Sequence, residues 1–124
     1  MKKVFKIISW ELYPLDVIFT LGTTTEEIIN YIGKKTTYKL DDEEKKFLDV
    51  EGRLGRTVML KGGPTVLWVK YNDGGTITHE VFHAVCFLFD KIGIKFDNNI
   101  DDEAWAYAIE FLVRKISKIC ASLK

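Results

Sequence analysis

The sequence has few of the residues that mark specialised classes of protein. Two cysteines in 124 residues are too few for a disulfide-dense secreted framework. Lys and Arg total 18, as do Asp and Glu, so no excess of charge favours nucleic acid or an anionic membrane as a partner. No apolar run approaches the length of a membrane span. We therefore expect neither nucleic-acid nor membrane partners.

A secretory leader is also not predicted at the N-terminus. Lys6 and Glu11 interrupt any apolar core of a signal peptide, and no small-residue cleavage site follows them. The expected compartment is therefore the cytoplasm. The length suits one compact domain over residues 1–124, large enough for a core but too short for a separate substrate domain.

The first two thirds of the chain predict the β part of an α+β fold. Residues 17–21 are β-branched and aromatic, as in a strand. A helix is expected from Thr24 or Thr25 to about Ile32, with Gly33 as its stop.

A short helix and a hairpin are expected next. Residues 41–48 predict a short, solvated helical turn. The apolar segments 57–60 and 65–71 flank a Lys-Gly-Gly-Pro turn at 61–64, which predicts a β-hairpin.

The last third of the chain predicts two packed helices. The first is capped by Thr76 or Thr78 and runs to about Ile92, where Gly93 can supply a left-handed stop. A loop rich in Asp and Asn follows, and the last helix then runs nearly to the C-terminus. Its cap is one of two aspartates, Asp101 and Asp102.

The segment His79-Glu80-Val81-Phe82-His83 lies on the first of these helices and contains both histidines of the chain. Helical residues four apart share one face, so the two imidazoles can bind one divalent ion. Glu80 is offset to the side, where it is poorly placed as a ligand but can accept a proton from metal-activated water. His79 and His83 are therefore predicted metal ligands, with Glu80 as general base.

Apolar side chains cover most of this helix and predict that it is buried. Inside a core, the two imidazoles and the carboxylate would each need a partner, because an unpaired buried polar group costs roughly 1 to 3 kcal/mol. A divalent metal would supply that compensation.

Two alternatives bear on the metal ligands. A pattern with three fixed positions also recurs by chance, and most helical histidines are ordinary surface or core residues. Cys86 competes as a third ligand, since it is three residues past His83 on the same side. Three ligands in a line along one helix do not make a tetrahedron, so we expect Cys86 to be a small buried residue, like Cys120.

The flanking residues resemble those of the zincin metallopeptidases. Thr76–Val85 has their Thr three residues before the first histidine, uncharged residues at the variable positions and an apolar residue at the end. Gluzincins take a third ligand from a glutamate about twenty residues beyond the second histidine, and Glu103 is twenty residues beyond His83. Residues 102–107 are similar to the start of that ligand helix. The resemblance covers roughly residues 66–116, and the first 60 residues resemble no family.

This resemblance implies a small zincin-like domain whose two C-terminal helices carry a Zn²⁺ site. Two imidazoles and a carboxylate also suit zinc best among the divalent ions. The implied activity is hydrolysis of an amide bond in a peptide or protein, with water completing the tetrahedron. By the same resemblance, the substrate pairs with an edge strand before the motif helix, for which Thr65–Tyr71 is the candidate.

Other roles stay open at the level of sequence. Glu103 lies opposite the apolar stripe of its helix, so it is either a ligand facing the motif helix or a solvated charge near the helix N-terminus. Tyr71 and Tyr107 are candidate oxyanion donors. Three acidic residues are candidates for orienting an imidazole, namely Asp101, Asp102 and Glu110.

Two other functions compete with the peptidase. One is a catalytically silent zincin-like module for metal binding or assembly, similar to short proteins of phages and mobile elements. The other is a plain structural α+β domain without metal. Neither the substrate nor the oligomeric state follows from the sequence.

Overall fold

The computed structural model describes residues 2–11, 13–94 and 102–123 of the chain. The strands of this part are β1 (Val4–Ser9), β2 (Asp16–Leu21), β3 (Gly55–Met59) and β4 (Thr65–Val69). The helices are α1 (Thr25–Lys35), α2 (Asp42–Phe47), α3 (Gly74–Ile92) and α4 (Asp102–Ala121). The strands form one sheet in the order β1-β2-β4-β3, in which β2 and β4 are parallel and the other two pairs antiparallel. The fold is therefore mixed α/β.

Both faces of the central strands are covered, which explains their nearly continuous apolar sequences. Every residue of β4 is buried, as are all but the first of β2. On one face, Phe19 and Leu67 pack against α3 and α4. On the other face, Ile18 and Trp68 pack against α1 and the segment after α2. The sheet thus lies between two helical layers.

The structure confirms the predicted strand, as β2, and the predicted helix, as α1. Thr24 caps α1 by accepting a hydrogen bond from the N–H of Glu27, whose carboxylate accepts from Thr24 in return. The predicted stop at Gly33 is wrong. The helix continues to Lys35 and ends where the Thr36 hydroxyl donates to the Ile32 carbonyl, 2.7 Å away.

The hairpin and the short helical turn are also confirmed. Met59 of β3 pairs with Thr65 of β4 across the turn, and α2 begins after an Asp41 cap. β1 had no predicted counterpart at residues 4–9. It is a strand through its pairing with β2. The sequence did not predict it, because apolar and polar residues alternate poorly over this segment.

The motif helix α3 begins earlier than predicted. Asp73 is its N-cap, and the Asp73 carboxylate accepts hydrogen bonds from the N–H and hydroxyl of Thr76. The Thr78 hydroxyl instead donates to the Gly74 carbonyl, so neither predicted threonine is the cap. The left-handed stop is confirmed at Gly93, which has φ 80°.

Helix α4 has Asp102 as its first helical residue, so Asp102 is not the predicted cap, and the other candidate, Asp101, lies outside the described residues. The two C-terminal helices pack together as expected, with the Trp105 ring 6.0 Å from Phe82 and 4.9 Å from Phe89. Within the described ranges, no helix is both long and apolar enough to cross a bilayer.

The far end of α3 is tied to the β3–β4 turn. The Lys91 ammonium donates hydrogen bonds to the carbonyls of Leu60, at 3.1 Å, and Gly63, at 2.7 Å. Desolvation lowers the pKa of Lys91. The loop between the two hairpin strands is therefore held by the helix that carries the motif.

Candidate active site

The two imidazoles of the motif converge on one point. His79 and His83 are one helical turn apart on α3, and their Nε2 atoms are 3.2 Å apart. Two nitrogen ligands of a tetrahedral zinc ion, each about 2.0 to 2.1 Å from the metal, are separated by about 3.3 to 3.4 Å. The observed separation suits such a pair, and it equally suits a hydrogen bond from one neutral imidazole to the other.

Both imidazoles are exposed, so the prediction that they are buried is wrong. Helix α3 buries one side against the sheet and α4, and neither layer covers the side that carries the histidines. Desolvation of the imidazoles therefore gives no argument for a metal. The convergence of the two nitrogen atoms is the argument that remains.

Glu80 is buried, in contrast to its histidine neighbours. It retains 6% of its exposure and faces β3, offset from the imidazoles as expected from the helical spacing. The Thr57 hydroxyl of β3 lies 2.7 Å from Glu80 Oε1 and 3.1 Å from the Glu80 carbonyl oxygen. Oε2 receives no hydrogen bond from the described residues, so this carboxylate keeps acceptor capacity.

A glycine on β3 makes room for the Glu80 side chain. A Cβ at Gly55 would lie 2.7 Å from Glu80 Oε2 and 2.9 Å from Glu80 Cγ, which is closer than real contacts allow. Gly55 and Thr57 are two residues apart, so they face the same side of the sheet. Together they form a socket for the carboxylate. The alternation of strand residues was the only signal in the sequence for this pair.

His79 and Glu80 open onto one cleft. Its volume is about 590 Å³, and its lining includes Arg53, Gly55 and Thr76. The cleft lies where β3 begins, beside the first turns of α3. A carboxylate and an imidazole therefore border the same solvent-filled space.

The strand that borders the cleft is β3, and it is an edge strand. β4 pairs with β2 on one side and with β3 on the other, so the prediction that Thr65–Tyr71 offers a free edge is wrong. The parallel partner of β4 is nearly fifty residues earlier in the chain, and the local sequence around the motif carries no sign of it.

The hydrogen bonds at both ends of β3 show which backbone groups are free. Lys70 N donates to the Leu54 carbonyl and Leu60 N donates to the Pro64 carbonyl. Hydrogen-bonded pairs alternate along an antiparallel ladder, so Arg56 and Val58 are paired with β4. The N–H and C=O groups of alternate residues then point outward, and these residues are Gly55, Thr57 and Met59.

The structure does not bring Glu103 into a metal-binding group. Among the described residues, no three His, Cys, Asp or Glu side chains are close enough together to hold one ion. Glu103 is exposed in the first turn of α4, two residues before Trp105. Trp105 packs on Phe82, whose ring is 6.3 Å from that of His83. The role of Glu103 as third ligand stays a prediction.

The other candidate residues are placed as follows. Burial raises the pKa of the Cys86 thiol, which disfavours the thiolate that a metal requires. Glu110 pairs with Arg114 at 2.5 Å, one turn along α4. Tyr71 and Tyr107 are exposed, and nothing tests them as oxyanion donors. Asp101 and the side chain of Asp102 lie outside the described residues.

Comparisons of this chain with protein-family models, with curated proteins and with solved structures each find no match. The support for a function therefore comes from the residues of the cleft and their geometry.

Proposed function

We propose that the protein is a zinc-dependent metallopeptidase in which His79 and His83 bind the ion and Glu80 is the general base. One observation carries the proposal, namely the convergence of the two Nε2 atoms to 3.2 Å beside a cleft that His79 and Glu80 line. The resemblance of Thr76–Val85 to the zincin motif supports the same residues.

Bound zinc would supply Lewis-acid activation of the attacking water and of the substrate carbonyl. Glu80 accepts a proton from that water as its oxygen bonds to the carbonyl carbon. Glu80 then delivers the proton to the nitrogen atom of the leaving amine as the amide bond breaks. One water is consumed for each bond cleaved. Thr57 keeps Oε1 fixed during these steps, while Oε2 stays open to the proton.

Glu103 is the proposed third ligand. Trp105 fixes the first turn of α4 beside Phe82, and Phe82 adjoins His83. Glu103 thus belongs to a helical turn that packs against Phe82, the residue before His83. Acidic side chains are favoured in the first turn of a helix, where the backbone dipole is positive.

The peptide would bind along β3. Its backbone would pair with the free groups of Gly55 and Thr57, which adds one strand to the sheet. This pairing brings an amide bond past the Glu80 carboxylate and the His79 imidazole. The substrate is therefore expected to be an extended segment of peptide rather than a folded surface.

Metal analysis of untagged protein, purified without chelator, tests the ligands. We expect about one zinc per chain, and a loss of affinity of at least tenfold to a hundredfold in each of His79→Ala, His83→Ala and Glu103→Ala. Glu110→Ala is the matched control on the same helix and should keep its zinc. Protein that contains no zinc, and takes up none when zinc is supplied, would refute the proposal.

A second candidate function is a metal-binding interaction module without catalysis. The free edge of β3 favours it, because an exposed edge can pair with a partner strand whatever happens at the metal. Hydrolysis of fluorescein-labelled casein by the zinc-loaded protein separates the two functions. Cleavage that disappears in Glu80→Gln supports the peptidase, whereas zinc binding without cleavage in the native chain supports the module.

A further inference from the structure

Arg53 lines the same cleft as His79 and Glu80. It lies two residues before the first residue of β3, and its side chain is exposed. The ion pairs among the described residues are Lys3 with Glu27, Arg114 with Glu110 and Lys115 with Glu11, so none of them includes Arg53. A guanidinium group that forms no ion pair with a described residue therefore borders the proposed catalytic groups.

The two acidic residues of the cleft accept their hydrogen bonds from threonines. The Asp73 carboxylate accepts two hydrogen bonds from Thr76, which lower its pKa. Glu80 is held by Thr57. Neither acid is hydrogen-bonded to the guanidinium, which leaves its donors for a ligand that enters the cleft.

The direction of β3 places Arg53 relative to a bound peptide. Arg53 is two residues before Gly55, so the two are at most about 7 Å apart. Antiparallel pairing is the more stable arrangement per residue, and a strand antiparallel to β3 runs from Met59 toward Gly55. The C-terminal part of the substrate then reaches Arg53 after it has passed Glu80.

We propose that Arg53 binds a carboxylate of the substrate on the C-terminal side of the cleaved bond. This inference rests on the proposed peptidase function. A planar guanidinium can donate two parallel hydrogen bonds to a carboxylate, which makes it the side chain best suited to this recognition. The carboxylate is either an Asp or Glu side chain or the C-terminus of the peptide.

A neighbouring cavity shares Arg53 with the cleft. It also has a volume of about 590 Å³, and its lining contains Lys70 together with Glu26 and Glu51. Both spaces carry charges of both signs, so charge does not choose between them. The direction of β3 is what places the carboxylate site on the side of Arg53 that faces His79 and Glu80.

The test uses the zinc-loaded full chain and peptides derived from one cleaved site in casein, located by mass spectrometry. Three versions differ only beyond the cut. The first has Asp as the second residue after the cut and an amidated C-terminus further on. The second ends at that position with Gln and a free C-terminal carboxylate, and the third has Gln there and an amidated C-terminus further on. We expect at least one carboxylate peptide to exceed the neutral one in kcat/KM by about tenfold to a hundredfold. The first two peptides distinguish a side-chain carboxylate from a terminal one.

Variants of the arginine then assign the preference. Arg53→Gln should remove the preference for a carboxylate peptide. Arg53→Glu should favour a peptide with Lys in place of Asp, mainly by lowering KM for that peptide. The zinc content of both variants should be unchanged. Arg56→Gln is the matched control, because the Arg56 guanidinium donates to the Phe47 carbonyl instead of lining the cleft. It should retain the preference of the native protein.

Two results would overturn the inference while the peptidase stands. One is cleavage with no preference for a carboxylate, or with a preference for one before the cut. The other is a preference that survives in Arg53→Glu. A zinc-loaded chain that cleaves none of these peptides or casein would instead refute the peptidase, and this inference would fall with it.

Discussion

Two glutamates are buried, on opposite faces of the sheet, and they differ in how many hydrogen bonds their carboxylates accept. Glu44 follows the Asp41 cap and retains 4% of its exposure, while Glu80 on α3 retains 6%. Glu44 accepts hydrogen bonds from the Tyr38 hydroxyl, from Lys61 N and from Asp41 N. Glu80 accepts one, from Thr57.

The difference in hydrogen bonds decides what each carboxylate can do. Burial raises the pKa of Glu44, but the bonds from Tyr38, Lys61 and Asp41 outweigh this effect and leave the pKa below its ordinary value. Donors occupy both oxygens of Glu44. These hydrogen bonds join the segment before α2 to the first residue of the β3–β4 turn. Glu80 has a free oxygen at a cleft. A saturated carboxylate stabilises the fold, whereas an unsaturated one beside solvent can accept a proton.

The largest expected effect is that of Glu80→Gln. A general base contributes about 10² to 10⁴ in rate, so peptide hydrolysis should fall by that factor. Zinc content should stay the same, because Glu80 is not a proposed ligand. Rates are measured on casein peptides and zinc by elemental analysis. Glu44→Gln is the matched control on the other face, and equal losses of activity in the two variants would contradict the distinction.

A smaller loss is expected when the socket of Glu80 is filled. Gly55→Ala places a Cβ against Glu80 Oε2 and Cγ and must displace the carboxylate. A shift of about 1 Å at a catalytic group can reduce the rate by about a hundredfold. Gly33→Ala is the control, since nothing lies within 4 Å of a Cβ at that helical position. Normal kcat in Gly55→Ala would show that Glu80 needs no defined position.

The third prediction concerns the saturated carboxylate. Glu44→Gln should lower the free energy of unfolding by about 1 to 3 kcal/mol, because it leaves buried donors poorly paired. Urea denaturation followed by circular dichroism measures this loss, and kcat should be unchanged. A variant as stable as the native protein would mean that the hydrogen bonds to Glu44 have no net effect.

The same network has a defined pH dependence. The pKa of Glu44 is lower in the folded state, so its stabilisation is present above the ordinary value of 4.5 and is lost as the pH falls below it. Burial and Glu44 raise the pKa of Tyr38 from 10.0 to about 12, so stability also declines as the pH rises through that range. The alkaline decline should shrink in Tyr38→Phe.

The smallest effect is expected for Thr57. Thr57→Val removes the hydroxyl that fixes Glu80 and should lower kcat about tenfold, with KM and zinc content little changed. Thr57→Ser keeps the hydroxyl and should restore most of the rate. A serine variant as slow as the valine variant would assign the loss to packing instead of the hydrogen bond.

Local patterns in the sequence predicted those elements whose signals are local. The β3–β4 turn, the Thr24 cap and the stop at Gly93 depend on residues a few positions apart, and the structure confirms them. The pairing of β2 with β4 joins distant parts of the chain, so no local pattern revealed which strand lies beside β4, although its continuous apolar run is typical of a central strand. The free edge was assigned to the wrong strand for this reason.

The candidate site divides in the same way. The helical spacing of His79 and His83 was enough to predict that their rings converge. The socket of Glu80 depends on a contact between α3 and β3 across 23 residues, which the spacing within one helix cannot indicate. The sequence also placed the histidines inside the core, because the pattern around α3 does not tell how much of its surface the other elements cover.

The two hydrogen bonds of Lys91 have a mechanical consequence. They bind the β3–β4 turn to the C-terminal end of α3. The Thr57 hydroxyl is hydrogen-bonded to Glu80 nearer the N-terminal end, so α3 and β3 are joined at two separate points. Two such contacts hold the helix and the strand in one relative position, so a peptide bound along β3 as proposed would keep its register relative to the imidazoles. Lys91→Met removes both hydrogen bonds to the hairpin turn. We expect this variant to cleave a peptide at more positions than the native protein, if the chain is the proposed peptidase.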